Sequence, residues 1–106
     1  MRLKWTELAA TDLDLIESHI ATQNSSKVAI DAVLRVIDTT ELVLSGHPRA
    51  CRVGRVSGTR ELLIDGLPIT AIYRQNEVDQ IQVLRILYDA KRWPSSKNHT
   101  IHISTG

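Results

Sequence analysis

The chain has 106 residues, 42% hydrophobic and 24% charged, with a formal net charge of +1; this is the composition of one soluble globular domain with a modest core. No apolar run approaches the roughly 20 residues that span a bilayer, which excludes a membrane helix, and acids interrupt the N-terminal MRLKWTELAATDLDLIESHI where a signal peptide would be continuously apolar, so export is not expected. The single cysteine, Cys51, cannot close an internal disulfide and fits a reducing cytoplasm.

The small net charge hides a division. Residues 1–46 carry four Lys/Arg against seven Asp/Glu, whereas residues 47–106 carry nine against five, so phosphate-bearing or acidic partners are expected to meet the C-terminal half. In chain order, Arg2 to Trp5 is short enough to be a strand that closes onto a sheet. Thr6 is the N-cap of a helix, with Glu7 well placed against the helix dipole. Leu8, Ala9, Leu13, Ile16 and Ile20 recur at helical spacing and are expected to form its buried face. Asn24-Ser25-Ser26 breaks and recaps the chain. A second helix over Lys27 to Ser45 presents Ile30, Val33, Leu34, Ile37 and Leu44 to one side and stops at Gly46 and Pro48. So short a link predicts an antiparallel helical hairpin.

His47 to Arg60 is a basic stretch, HPRACRVGRVSGTR, with four arginines and no acid. A three-stranded antiparallel meander follows. TRELLI turns at Asp65-Gly66, a dipeptide suited to a tight hairpin, into ITAIYR; a polar break at Gln75-Asn76-Glu77 leads to IQVLRILY. Ile81 to Tyr88 carries apolar groups at both alternating positions, which predicts a central strand covered on two faces. One helical hairpin covers one face, so apolar surface is expected to await a partner chain. A single domain over residues 1–94 and a polar C-terminal tail over residues 95–106 complete the reading, with Ile101-His102-Ile103 able to pair as an edge strand on a partner.

Neither HExxH nor paired Cys/His spacing occurs, so no metal or other cofactor is expected, and no Gly-rich phosphate loop or serine nucleophile elbow is present. Glu61 reads first as a cross-strand partner of an arginine and Tyr88 as a core aromatic with a solvated hydroxyl. Alternation sends Arg85 and Tyr88 to opposite faces of an ideal strand, so a shared site would require a bulge or strand end between them.

Trp5 before the first helix, Asp12-Leu13 and Ile16 within it, Pro48 and Arg52 after the second, Gly58-Thr59-Arg60-Glu61-Leu62, Tyr73-Arg74, Leu84-Arg85-Ile86-Leu87 and Arg92-Trp93 stand in order along the chain. In this arrangement the chain resembles toxins of the RelE/ParE superfamily, and within it the ParE-like branch. The resemblance implies an α+β fold of strand, helical hairpin and meander, and a toxin held in a hetero-oligomer by a cognate antitoxin. Of the two activities on this fold, poisoning of DNA gyrase and ribosome-dependent cleavage of mRNA, it implies the first, because the arginine that begins the middle strand of nuclease members falls on Thr70. The implied target contacts are Arg60, Arg85, Arg92 and Trp93, and the implied antitoxin contacts Arg52, Arg55 and Arg74. The alternatives are an mRNA endoribonuclease using Arg60, Arg85, Tyr88 and Arg92, and an inactive homologue that only binds antitoxin.

Overall fold

A computed structural model describes residues 2–49, 51–77 and 80–88. The order is β1 (Arg2–Trp5), α1 (Glu7–Gln23), α2 (Ser26–Gly46), β2 (Arg52–Val53), β3 (Arg60–Leu63), β4 (Ile69–Glu77) and β5 (Gln80–Tyr88). The strands form one sheet in the order β1-β5-β4-β3-β2, with β1 parallel to β5 and every other pair antiparallel. The α+β class and its element order follow the sequence reading. The expected tail, Arg92 and Trp93 lie outside the described residues.

The helix starts are set by capping. Thr6 Oγ1 accepts from Ala9 N at 3.1 Å and Ser25 Oγ from Val28 N at 3.2 Å, each satisfying an amide that has no partner within its helix. Thr6 also donates to Leu84 O at 2.9 Å, which ties the start of α1 to β5. The helices pack on each other, and α1 lies along β5.

The buried faces differ from the expected ones. On α1, Ala9, Leu13, Ile16 and Ile20 are buried, but Leu8 is 60% exposed. On α2, Ala29, Ala32, Val36, Thr40 and Leu44 are buried while Ile30 and Leu34 face solvent, with Val33 and Ile37 packed at the margin. The buried stripe of α2 follows Ala29, Ala32, Val36, Thr40 and Leu44 at three- and four-residue spacing, and Ile30 and Leu34 lie off it.

Three features of the sheet also depart from expectation. Gln75-Asn76-Glu77 belongs to β4, so the connection to β5 is shorter than predicted. Asp65-Gly66 does centre a tight turn, with Leu67 N to Ile64 O at 3.1 Å and Gly66 at φ +81°, but that turn sits inside a longer loop closed by Ile64 N to Ile69 O at 2.9 Å. Part of the basic stretch forms the short edge strand β2, whose hairpin to β3 is fastened by Gly54 N to Thr59 O at 2.8 Å.

The apolar pattern of β5 has a cause other than two covered faces. Tyr73 pairs with Val83 and Ile72 with Arg85, which leaves Leu84 as an extra residue in a β-bulge. The buried set therefore changes phase, from Ile81 and Val83 before the bulge to Ile86 after it, while Leu84 and Leu87 are only partly buried. Among the described residues the large exposed apolar side chains lie instead on the helices, at Leu8, Leu15, Val28, Ile30, Leu34 and Leu42, and near the sheet edge at Val53, Val56 and Leu63.

Candidate functional site

The bulge builds the first cluster. β1 ends at Trp5, opposite Val83, so beyond that point β5 has no strand on this side and α1 supplies the partners. Thr6 N donates to Val83 O at 3.1 Å, Thr6 Oγ1 to Leu84 O, and Ile86 N to Asp12 Oδ2 at 2.9 Å. The same Asp12 carboxylate receives Arg85 Nε at 2.8 Å on Oδ2 and Arg85 Nη2 at 3.1 Å on Oδ1. This is a bidentate pair on a carboxylate that is 9% exposed. The hydrogen bond and charge of Asp12 hold the Arg85 guanidinium above its ordinary pKa.

Arg85 and Tyr88 line one pocket of about 410 Å³ with Asp12, His19 and Arg55. Ideal alternation would have separated them. The register is regular from Arg85 to Tyr88, so the bulge before Arg85 does not turn them to one face; Tyr88 closes the strand, and at that end both side chains border the same pocket beside α1. Tyr88 packs edge-on against His19, ring centroids 5.3 Å apart, and burial pushes its phenol above the ordinary range. At neutral pH that phenol donates a proton in hydrogen bonds and is no base.

The second cluster centres on Glu61. It is 5% exposed, faces Arg52 across the β2-β3 pair, and accepts Arg52 Nη2 at 2.8 Å and Nε at 3.2 Å. Arg55 contributes its amide at 3.4 Å and its side chain at 3.8 Å. Burial raises the Glu61 pKa, but the bonds and charges of Arg52 and Arg55 outweigh it and hold the carboxyl below the usual range. Glu61 is thus the cross-strand partner that the sequence suggested.

The third cluster has no acid. Arg49, Arg60 and Arg74 line a pocket of about 340 Å³ with Gly58, Thr59 and Tyr73. Arg60 Nη1 donates to Cys51 O at 2.8 Å and to Arg49 O at 3.4 Å, so main-chain carbonyls fix it without cancelling its charge. Arg74 Nε donates to Gln82 Oε1 at 3.2 Å. Tyr73, 1% exposed, donates to Pro48 O, and burial, with Cys51 beside it, drives its pKa up.

The expected site residues therefore fall into separate places. Arg85, Tyr88 and Arg55 share one pocket, Arg60 and Arg74 another, and Arg52 stands with Glu61. Thr70, where the nuclease arginine would fall, is 5% exposed and pairs across the sheet with Leu63 and Leu87. Asp12 is the residue whose role sequence reasoning missed; its signal was a carboxylate between Ala9, Leu13 and Ile16 on the buried stripe. Among the described residues no group of three His, Cys, Asp or Glu could hold a metal, and no helix is long and apolar enough to cross a membrane.

This architecture agrees with sequence comparison. Residues 3–93 match the family described as ParE toxin of type II toxin-antitoxin system, parDE, and the chain belongs to that family. It is 29% identical over 93 residues to the protein named "Putative toxin Y4kP" of Sinorhizobium fredii (strain NBRC 101917 / NGR234), covering 88% of this chain and 93% of that one. Among solved structures, a chain of the chromosomal ParDE toxin-antitoxin system from P. aeruginosa superposes with a TM-score of 0.74 at 33% identity, covering 81% of this chain and 92% of that chain. The YoeB/ParE toxin from Agrobacterium tumefaciens shares the fold, with a TM-score of 0.53 at 16% identity over 84% of this chain and 99% of that chain. The protein is thus a ParE-type toxin of a type II toxin-antitoxin system.

Proposed function

We propose that this toxin binds DNA gyrase and stalls it on cleaved DNA, acting in the cytoplasm without a cofactor until its cognate antitoxin neutralises it. The observation that carries this reading is the neutral, buried Thr70 between Leu63 and Leu87. Cutting RNA through a ribose 2′-hydroxyl requires a proton acceptor and cations that hold developing charge. Here the place where the family resemblance puts a cation holds a neutral threonine, Glu61 is enclosed by two arginines, and the Tyr88 phenol stays protonated. Arg60, Arg85, Arg92 and Trp93 are the target contacts in this reading. The antitoxin meets Arg52, Arg55 and Arg74 and covers exposed aliphatic groups such as Leu8, Leu15, Ile30 and Leu34.

One observation favours the endoribonuclease alternative, namely that Arg85 and Tyr88 share a pocket with His19 and Arg55. Induced expression separates the two readings. Gyrase poisoning induces the DNA-damage response and leaves bulk mRNA intact. Primer extension that finds mRNA cut at ribosomal A-site positions, without gyrase-linked DNA breaks, would overturn the gyrase reading.

A further inference from the structure

We infer that the pocket framed by Arg49, Arg60 and Arg74 above Tyr73 is a binding site for phosphate groups. Its three guanidiniums come from three elements, the turn after α2, the start of β3 and the middle of β4, and none of the lining residues is acidic. The contrast lies within the same molecule. Arg85 is paired to Asp12, and Arg52 and Arg55 to Glu61, whereas no described carboxylate lies within ion-pair distance of Arg49, Arg60 or Arg74. The Arg60 guanidinium is held in place by two carbonyls, so it keeps its charge and loses little freedom when a ligand arrives.

Charge and shape select phosphate over an acidic peptide. One carboxylate is satisfied by one guanidinium, as the Asp12-Arg85 pair shows, and three cations around about 340 Å³ exceed what one side chain can neutralise. A phosphate presents more anionic oxygens to forked donors. A docked peptide also needs apolar anchors, and the lining offers only Pro48 and Val53 besides the buried Tyr73. The turn carrying Gly58 and Thr59 forms one wall; Gly58 has φ +83°, and Thr59 is fixed through its amide and hydroxyl to Val56 O at 3.1 and 2.6 Å. The wall is rigid and brings backbone close to the ligand. This inference is independent of which target the toxin attacks.

The test titrates the purified, isotope-labelled chain at low salt with inorganic pyrophosphate and, separately, with a short single-stranded oligodeoxynucleotide, following the Gly58 and Thr59 amide signals by NMR. Saturable shifts are expected. Arg49→Ala/Arg74→Ala, two exposed positions, should weaken binding at least tenfold with the thermal transition kept, and should lower the salt dependence of oligonucleotide binding by about two ions. Lys27→Ala, which removes a charge on α2, should change affinity less than twofold. Binding of pyrophosphate alone identifies a small phosphate ligand, and binding of the oligonucleotide a nucleic-acid backbone; either supports the site. The inference is overturned if neither probe moves these signals, if Lys27→Ala weakens binding as much as the double variant, or if a glutamate-rich peptide binds while both phosphate probes fail.

Discussion

Removing the Asp12 carboxylate tests whether Arg85 is first a structural residue. Asp12→Ala deletes three acceptor contacts, leaving the Ile86 amide without its partner and Arg85 without its counter-ion. An unsatisfied buried amide costs about 1–3 kcal/mol. Breaking a fully buried ion pair costs about 3–5 kcal/mol, but the Arg85 side chain is 45% exposed and can be rehydrated, so that part falls toward about 1 kcal/mol. Asp12→Ala should therefore destabilise the chain by about 2–4 kcal/mol, a fall in Tm of roughly 10–25 °C for a domain of this size.

Asp12→Asn keeps a carbonyl acceptor for the Ile86 amide and should lose about half as much. Arg85→Ala strands a nearly buried carboxylate and should also destabilise, so the double variant Asp12→Ala/Arg85→Ala will cost less than the sum of the singles. Urea and thermal denaturation of all four proteins, followed by circular dichroism, measure this coupling. Loss of less than about 0.5 kcal/mol in Asp12→Ala, or strictly additive effects, would refute the reasoning that α1 substitutes for a strand at this edge.

Acid should act through Glu61: with its folded pKa depressed, it contributes stability above the unfolded carboxyl value of about 4.3, lost as pH falls through the lower folded value. Urea midpoints measured from pH 6 to pH 3 should fall more steeply for the parent than for Glu61→Gln. Thr40 is fully buried and its Oγ1 has no hydrogen-bond partner, so the similarly shaped Thr40→Val should stabilise the chain by about 1 kcal/mol, read as a raised Tm. Arg52→Ala leaves the buried Glu61 with only the longer contacts of Arg55 and should lower stability by about 1–2 kcal/mol, whereas Arg52→Ala/Glu61→Gln should recover most of it; equal loss in both would show that Glu61 was not the cause.

Most of the architecture was legible because local chemistry and long-range packing agreed. Thr6 and Ser25 cap the helices as their residue types suggest, and the apolar segments read as strands became β3, β4 and β5, the last two rich in β-branched residues. The readings that failed depended on geometry that no short window contains. Helical spacing marked Leu8, Ile30 and Leu34 as core residues, but the buried stripe runs past them through Ala9 on α1 and Ala29, Ala32, Val36 and Leu44 on α2, and spacing alone does not decide which of two adjacent stripes faces the core. In β5, strict alternation suggested two covered faces, and one extra residue, Leu84, produces the same pattern by shifting phase. Arg85 and Tyr88 border one pocket although the regular register between them keeps them in opposite phase, because the pocket lies at the end of the strand beside α1, a placement that alternation alone does not contain.

The pairing of arginines with acids, more than their number, determines what the basic half can do. Arg52, Arg55 and Arg85 each answer a carboxylate from this chain, and their remaining fields are those of partly neutralised pairs. Removing one harms folding before it informs on binding, because the carboxylate left behind is Glu61 or Asp12, both nearly buried. Arg49, Arg60 and Arg74 lack such partners among the described residues, and two of them are exposed. A loss of toxicity in Arg85→Ala therefore speaks about a partner only if Arg85→Lys or the Asp12 double variant separates it from stability. The same loss at Arg49 or Arg74, where no buried acid is abandoned, reports contact with a partner directly.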